Sequence, residues 1–118
     1  MTESTITIYH NPRCSKSRQS LALLEDKGAA PRVVHYLDTP PTEAELKSLL
    51  RMLGLSPREL MRRGEAAYQE NNLDKDSLSD DDLIRVMVAN PILIERPIVV
   101  GDGKAVIGRP PERVLDLV

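Results

Sequence analysis

The chain has 118 residues, of which 41% are hydrophobic and 29% charged, with a formal net charge of −2. These values predict one soluble globular domain and exclude the global basic field of a nucleic-acid-binding protein. No apolar run reaches the ~18 residues of a membrane span, and the N-terminus lacks the features of a signal peptide. A cytoplasmic protein without a nucleic-acid or membrane partner is therefore expected.

The first third of the chain alternates between strand and helix patterns. Residues 5–9 alternate β-favouring side chains and predict a strand. Residues 15–27 have helical character and are followed by Gly28, a common helix terminator. Residues 32–37 predict a second strand. This strand–helix–strand order is typical of an α/β domain.

The middle of the chain carries three helix-start signals. In each, a serine or threonine is followed three residues later by an acidic residue, the spacing of a capping box. Pro91 ends the last of these helices, near Ala89. The three pairs are Thr42 with Glu45, Ser56 with Glu59, and Ser79 with Asp82.

The last part of the chain predicts a hairpin and a short helix. Residues 97–100 and 105–107 are apolar strands on either side of a Gly-Asp-Gly turn, and Pro110 and Pro111 open the final helix. The complete order predicts one α/β domain over residues 1–118 with a thioredoxin-like fold. It would contain a small mixed sheet flanked by helices, with a helical insertion at about residues 40–90.

Cys14 lies at the junction between the first predicted strand and the first predicted helix. The unpaired N–H groups and partial positive charge of a helix N-terminus stabilise a thiolate there and can bind an oxyanion. Arg13, Lys16 and Arg18 add positive charge nearby. A lone cysteine is, however, often a small buried apolar residue. From the local sequence both interpretations stay open.

His10 and several arginines could assist such a site. His10 could hold a charge or a hydrogen bond near the sulfur, or it could be an ordinary strand-end residue. Guanidinium groups of Arg62, Arg63, Arg96 and Arg109 could neutralise a tetrahedral oxyanion and bind two of its oxygens, although each could instead be a solvated surface residue. Two of these arginines precede a proline, where a cis peptide bond is plausible.

Three segments of the chain resemble the signature motifs of the glutaredoxin-linked arsenate reductases, in the same order and with the same spacing. Together they are far more specific than any one motif. The segments are residues 9–18 (YHNPRCSKSR), 91–100 (PILIERPIVV) and 107–111 (IGRPP).

The resemblance implies a thioredoxin-like fold and a mechanism. The thiolate of Cys14 would attack arsenate to give a thiol–arsenate ester. Glutathione would then add to the arsenic, glutaredoxin would resolve the mixed species, and arsenite would leave. His10 matches the family histidine that lowers the thiol pKa. The family's three oxyanion-binding arginines match Arg62, Arg96 and Arg109.

The resemblance also identifies the anion loop and a cis proline. The anion loop matches Ser15, Lys16, Ser17 and Arg18, and it begins with Ser-Lys where many members have Gly-Thr. The cis peptide of thioredoxin-like folds matches the bond before Pro97. A single cysteine can form the adduct but cannot resolve it, so glutathione is expected as a co-substrate and no metal or other bound cofactor is required.

Two other functions remain open from the sequence. The first is a glutathione-dependent thiol reductase that acts on another substrate and leaves the arginines idle. The second is a non-enzymatic regulator of the kind that binds RNA polymerase and senses thiol stress. Many of those regulators carry Cys-x-x-Cys, and here Ser17 occupies the second position, which disfavours a redox switch.

Overall fold

The structure, a computed structural model, describes residues 6–75 and 77–118. These residues divide into two compact units. The first contains the described residues up to Thr39 together with Arg96–Val118, and the second is Pro40–Glu95. In the described part of the chain, no helix combines the length and the apolar character that crossing a membrane requires.

The first unit is built on a four-stranded mixed sheet. Its elements are β1 (Ile6–Tyr9), α1 (Ser15–Asp26), β2 (Arg32–Val34), β3 (Ile98–Gly101), β4 (Lys104–Ile107) and a 3₁₀-helix at Pro111–Leu117. The strand order is β2-β1-β3-β4. Strand β1 pairs parallel with β2 and antiparallel with β3, and β3 pairs antiparallel with β4. The predicted α/β class is confirmed.

An aliphatic core holds this sheet against its helices. The helix α1 packs on the C-terminal 3₁₀-helix, and both elements contribute to one buried cluster. Alternate β1 side chains enter that cluster, as the period of two in the sequence predicts. The core residues are Ile6, Ile8, Leu24, Val99 and Val114.

The end of the second strand differs from the sequence prediction. The second strand was expected to reach residue 37, but β2 ends at Val34, where the N–H of His10 donates to the Val34 carbonyl and closes the ladder with β1. The chain then turns, because the N–H groups of Asp38 and Thr39 both donate to the His35 carbonyl. The first predicted residue of β1, position 5, lies outside the described residues.

The second unit is helical. It contains α2 (Glu43–Leu53), α3 (Pro57–Leu60), α4 (Ala66–Glu70), α5 (Asp80–Ala89) and a 3₁₀-helix at Pro91–Leu93. All three predicted capping boxes are confirmed, at the starts of α2, α3 and α5. The helix α4 lies inside the predicted helical insertion, but it carries no capping box in its sequence and its start was not predicted. Helices α2 and α5 pack together through buried side chains, which are Leu46, Leu49, Leu50, Leu83, Ile84 and Met87.

Candidate active site

A tight loop delivers Cys14 to the start of α1. The buried Asn11 shapes this loop, because its carbonyl accepts the Cys14 N–H at 3.0 Å and its Oδ1 accepts the Arg13 N–H at 3.0 Å. Sequence reasoning missed Asn11. An asparagine whose side chain accepts the N–H two residues later is a known turn former, so the Asn-Pro-Arg run carried a usable signal.

Cys14 is the N-cap residue of α1. Among the residues that the structure describes, no side chain caps the first turn of α1, and residues 15–17 include no acidic residue. We call Cys14 with residues 15–17 the open N-terminus. Cys14 is only 8% exposed, so it is more buried than its polar surroundings in the sequence suggested.

The surroundings of the sulfur favour the thiolate. Burial raises the pKa of Cys14, but the N–H of Ser17, a hydrogen bond from Arg96, the N–H of Lys16 and the positive charge of Arg96 together outweigh it. The pKa of Cys14 is therefore lower than that of an ordinary thiol. The N–H contribution is what a helix N-terminus is expected to supply.

Two of the predicted arginines lie at the thiol. Arg109 donates from Nη2 to Cys14 Sγ at 3.5 Å and from Nε to the Arg96 carbonyl at 2.8 Å. The Arg96–Pro97 peptide bond is cis, at the position that the resemblance implies, and the Arg109–Pro110 bond is cis as well. Within the first unit, two guanidinium groups and the N–H groups of one helix thus converge on a single sulfur.

Arg62 belongs to the second unit and has two carboxylate partners there. Its Nε donates to Glu65 at 3.2 Å and its Nη1 donates to Glu95 at 2.8 Å. Burial opposes the charge on Arg62, but the two carboxylates outweigh it and raise its pKa. The neighbouring Arg63 is exposed.

His10 connects to the open N-terminus through Ser17. The two side chains share a hydrogen bond of 2.6 Å between His10 Nδ1 and Ser17 Oγ, and both are buried. Ser17 Oγ also accepts the Asn11 N–H at 3.0 Å. Burial, followed by the charges of His35 and Arg18, lowers the pKa of His10. The neutral imidazole is therefore the favoured form at neutral pH.

The anion-loop residues occupy different environments. Ser15, Lys16 and Arg18 are exposed, and Arg18 Nη1 donates to the Pro12 carbonyl at 2.8 Å. Ser17 is fully buried. The loop therefore presents backbone N–H groups to the sulfur, while its two cationic side chains are exposed to solvent.

Sequence reasoning also missed Ser20, which is fully buried in α1 and donates from Oγ to the Lys16 carbonyl at 2.8 Å. Its spacing from Ser17 and Leu24 places all three on one helix face. That spacing was the available signal, because a serine that recurs with the apolar residues of a helix points to a buried polar contact.

This geometry defines a thioredoxin-like protein in which cationic and N–H donors surround one cysteine. The chain matches the ArsC family over residues 9–117. It is 59% identical to Uncharacterized protein YfgD of Escherichia coli (strain K12), with 96% of each chain covered. It is 52% identical to an arsenate reductase of Neisseria meningitidis serogroup A, covering 92% of this chain and 94% of that one. The solved arsenate reductase from Vibrio cholerae superposes with a TM-score of 0.96 at 52% identity, covering 99% and 100%. The chain belongs to the ArsC family.

Proposed function

We propose that this chain is an arsenate reductase that forms a covalent thiol–arsenate adduct on Cys14. The observation that carries the proposal is the position of Arg109 Nη2, 3.5 Å from Cys14 Sγ at the open N-terminus. Cationic and N–H donors directed at one sulfur stabilise a thiolate, and they also attract a tetrahedral dianion. The relatives named arsenate reductase support arsenate as that dianion.

The first chemical step joins sulfur to arsenic. The thiolate of Cys14 attacks arsenate, an S–As bond forms, and one arsenate oxygen takes up protons and leaves as water. Arg96 and Arg109 offset the negative charge that otherwise keeps a dianion away from a thiolate. The role of Arg62 as an oxyanion ligand rests on the family resemblance alone and stays a prediction.

External thiols supply the electrons. The chain has one cysteine, so a second thiol must come from another molecule. Glutathione adds to the arsenic of the adduct, and glutaredoxin resolves the resulting mixed species. Overall, two thiols are oxidised to one disulfide, As(V) is reduced to As(III), and arsenite leaves. A reducing cytoplasm provides both thiol components, and the proposal needs no metal or other bound cofactor.

His10 assists the thiolate through Ser17 in this proposal. Because Ser17 Oγ already accepts the Asn11 N–H, its own proton is available to neutral His10 Nδ1. The hydrogen bond holds the first turn of α1 in place, and with it the Ser17 N–H that faces the sulfur.

A coupled assay tests the function directly. The pure protein is supplied with arsenate, glutathione, glutaredoxin, glutathione reductase and NADPH, and arsenite is measured alongside the Cys14→Ser variant. Wild type should form arsenite, whereas Cys14→Ser and mixtures without glutathione or glutaredoxin should not. No arsenite from wild type would refute the proposal. Reduction of a glutathione mixed disulfide that survives Arg96→Ala would instead identify a thiol reductase with another substrate.

A further inference from the structure

Gly108 lies very close to α1, to Pro97 just before β3, and to the C-terminal 3₁₀-helix. A Cβ atom at this position would lie 2.3 Å from Ser20 Oγ in α1, 2.8 Å from Pro97 Cγ and 3.2 Å from Val114 Cγ1. A carbon atom cannot approach a non-bonded atom to such distances without displacing it. A side chain at position 108 would therefore fit only if Ser20 and Pro97 moved.

The contact joins the two halves of the anion site. On the α1 side, Ser20 donates to the carbonyl of Lys16, which lies in the first turn whose N–H groups face the sulfur. On the opposite side, the Gly108 N–H donates to the Pro97 carbonyl at 3.0 Å. The next residue, Arg109, reaches both the sulfur and the Arg96 carbonyl.

We propose that Gly108, in contact with Ser20, is a positioning residue that sets the distance between the open N-terminus and the guanidinium groups of Arg96 and Arg109. A methyl group at position 108 pushes α1 away from the segment that carries these arginines. The N–H groups and the guanidinium groups then no longer reach one sulfur together. This inference rests on the proposed role of Cys14 as the nucleophile.

The test compares the thiol of Gly108→Ala with that of the wild type. The pH dependence of iodoacetamide alkylation reports the thiol pKa, and the chain's single cysteine makes the signal unambiguous. Gly108→Ala should have a higher thiol pKa and about tenfold slower alkylation at pH 7, since a displacement of about 1 Å can cost up to 10²-fold. Arsenate should protect the thiol about tenfold less well, for the same reason.

Gly101→Ala is the matched control. A Cβ atom at Gly101 would first meet Ile6 Cγ1 at 3.4 Å, which is an ordinary contact. This variant should retain the wild-type thiol pKa and arsenate protection. If Gly108→Ala folds with a lower Tm but keeps both wild-type values, the glycine is merely structural and the inference is wrong. A wild-type thiol pKa that is not lowered would instead refute the proposed nucleophile.

A second pair of variants tests the inference even if Gly108→Ala does not fold. Replacing Ser20 by alanine removes the shortest contact, whereas the approach to Pro97 at 2.8 Å remains. The double variant Ser20→Ala/Gly108→Ala should therefore have a thiol pKa above that of Ser20→Ala and, where Gly108→Ala folds, below that of Gly108→Ala. Equal thiol pKa values for Ser20→Ala and the double variant would also overturn the inference.

Discussion

Helix α1 of the first unit and three helices of the second unit begin in opposite ways. In the second unit, α2, α3 and α5 each start with a complete capping box and at least one acidic residue in the first turn. In the first unit, α1 starts with Cys14, and residues 15–17 are Ser-Lys-Ser. Helices α2, α3 and α5 thus satisfy N–H groups at their N-termini with their own side chains. At α1 the N–H groups of the first turn face a thiol instead, so the usual capping rule is broken at the proposed anion site.

The largest effect is expected when a capping residue replaces Cys14, the proposed nucleophile. Cys14→Ser should reduce arsenite formation by about three orders of magnitude or more, because the attacking thiolate is lost. Serine is a preferred N-cap residue, so the free energy of unfolding should stay equal or rise by about 0.5 kcal/mol. The coupled assay and thermal melts measure both. A clearly lower Tm would show that Cys14, which is 8% exposed, acts mainly in packing.

A smaller effect is expected from changing Arg96, one of the two arginines at the sulfur. Arg96→Lys replaces a planar fork by a point charge, so the KM for arsenate should rise about tenfold, equivalent to one charge-assisted hydrogen bond. Steady-state kinetics with varied arsenate measure the change. Arg113→Lys is the control, because Arg113 is an exposed arginine of the same unit. An unchanged KM in Arg96→Lys would remove Arg96 from the oxyanion site.

The contrast between helix starts also explains what the sequence could predict. A capping box joins residues three positions apart, so Thr42 with Glu45 was visible without any tertiary information. The position of Cys14 at a helix start is local in the same way. The contact between Arg109 and Cys14 spans 95 positions, so the local sequence alone could not show which arginines lie at the sulfur.

Packing decided the features that sequence reasoning missed. The end of β2 depends on where its partner strand turns away, whereas the β-favouring side chains continue further along the chain. The space requirement at Gly108 comes from Ser20 and Pro97, which belong to distant segments. In the sequence alone, Gly108 looks like an ordinary loop residue between a strand and a proline. Its tight packing exists only in the folded chain.

A negative charge at the open N-terminus should make α1 resemble α2, α3 and α5. Ser15 is exposed in the first turn, so Ser15→Asp should fit without a clash and add about 0.5 kcal/mol through the helix dipole. The same charge repels a thiolate, so alkylation at pH 7 should slow about threefold to tenfold. Ser15→Asn is the neutral control of similar size. Equal alkylation rates in the two variants would show that the sulfur does not sense the charge of this turn.

The smallest expected effect is a loss of thermal stability at mildly acidic pH. The pKa of buried His10 is lowered from 6.5, so the folded state favours the neutral imidazole and its stabilising contribution is lost as the pH falls below that value. The carboxylates of Glu59 and Asp82 have pKa values lowered from 4.5 and 3.8, chiefly by backbone hydrogen bonds in their capping boxes. Their contribution is lost only at more acidic pH. Between pH 7 and 5.5 the Tm should therefore fall by about 2–4 °C, and His10→Asn should remove most of this step. A step that is unchanged in His10→Asn would assign the acid sensitivity to another group and leave the hydrogen bond with Ser17 without a role in stability.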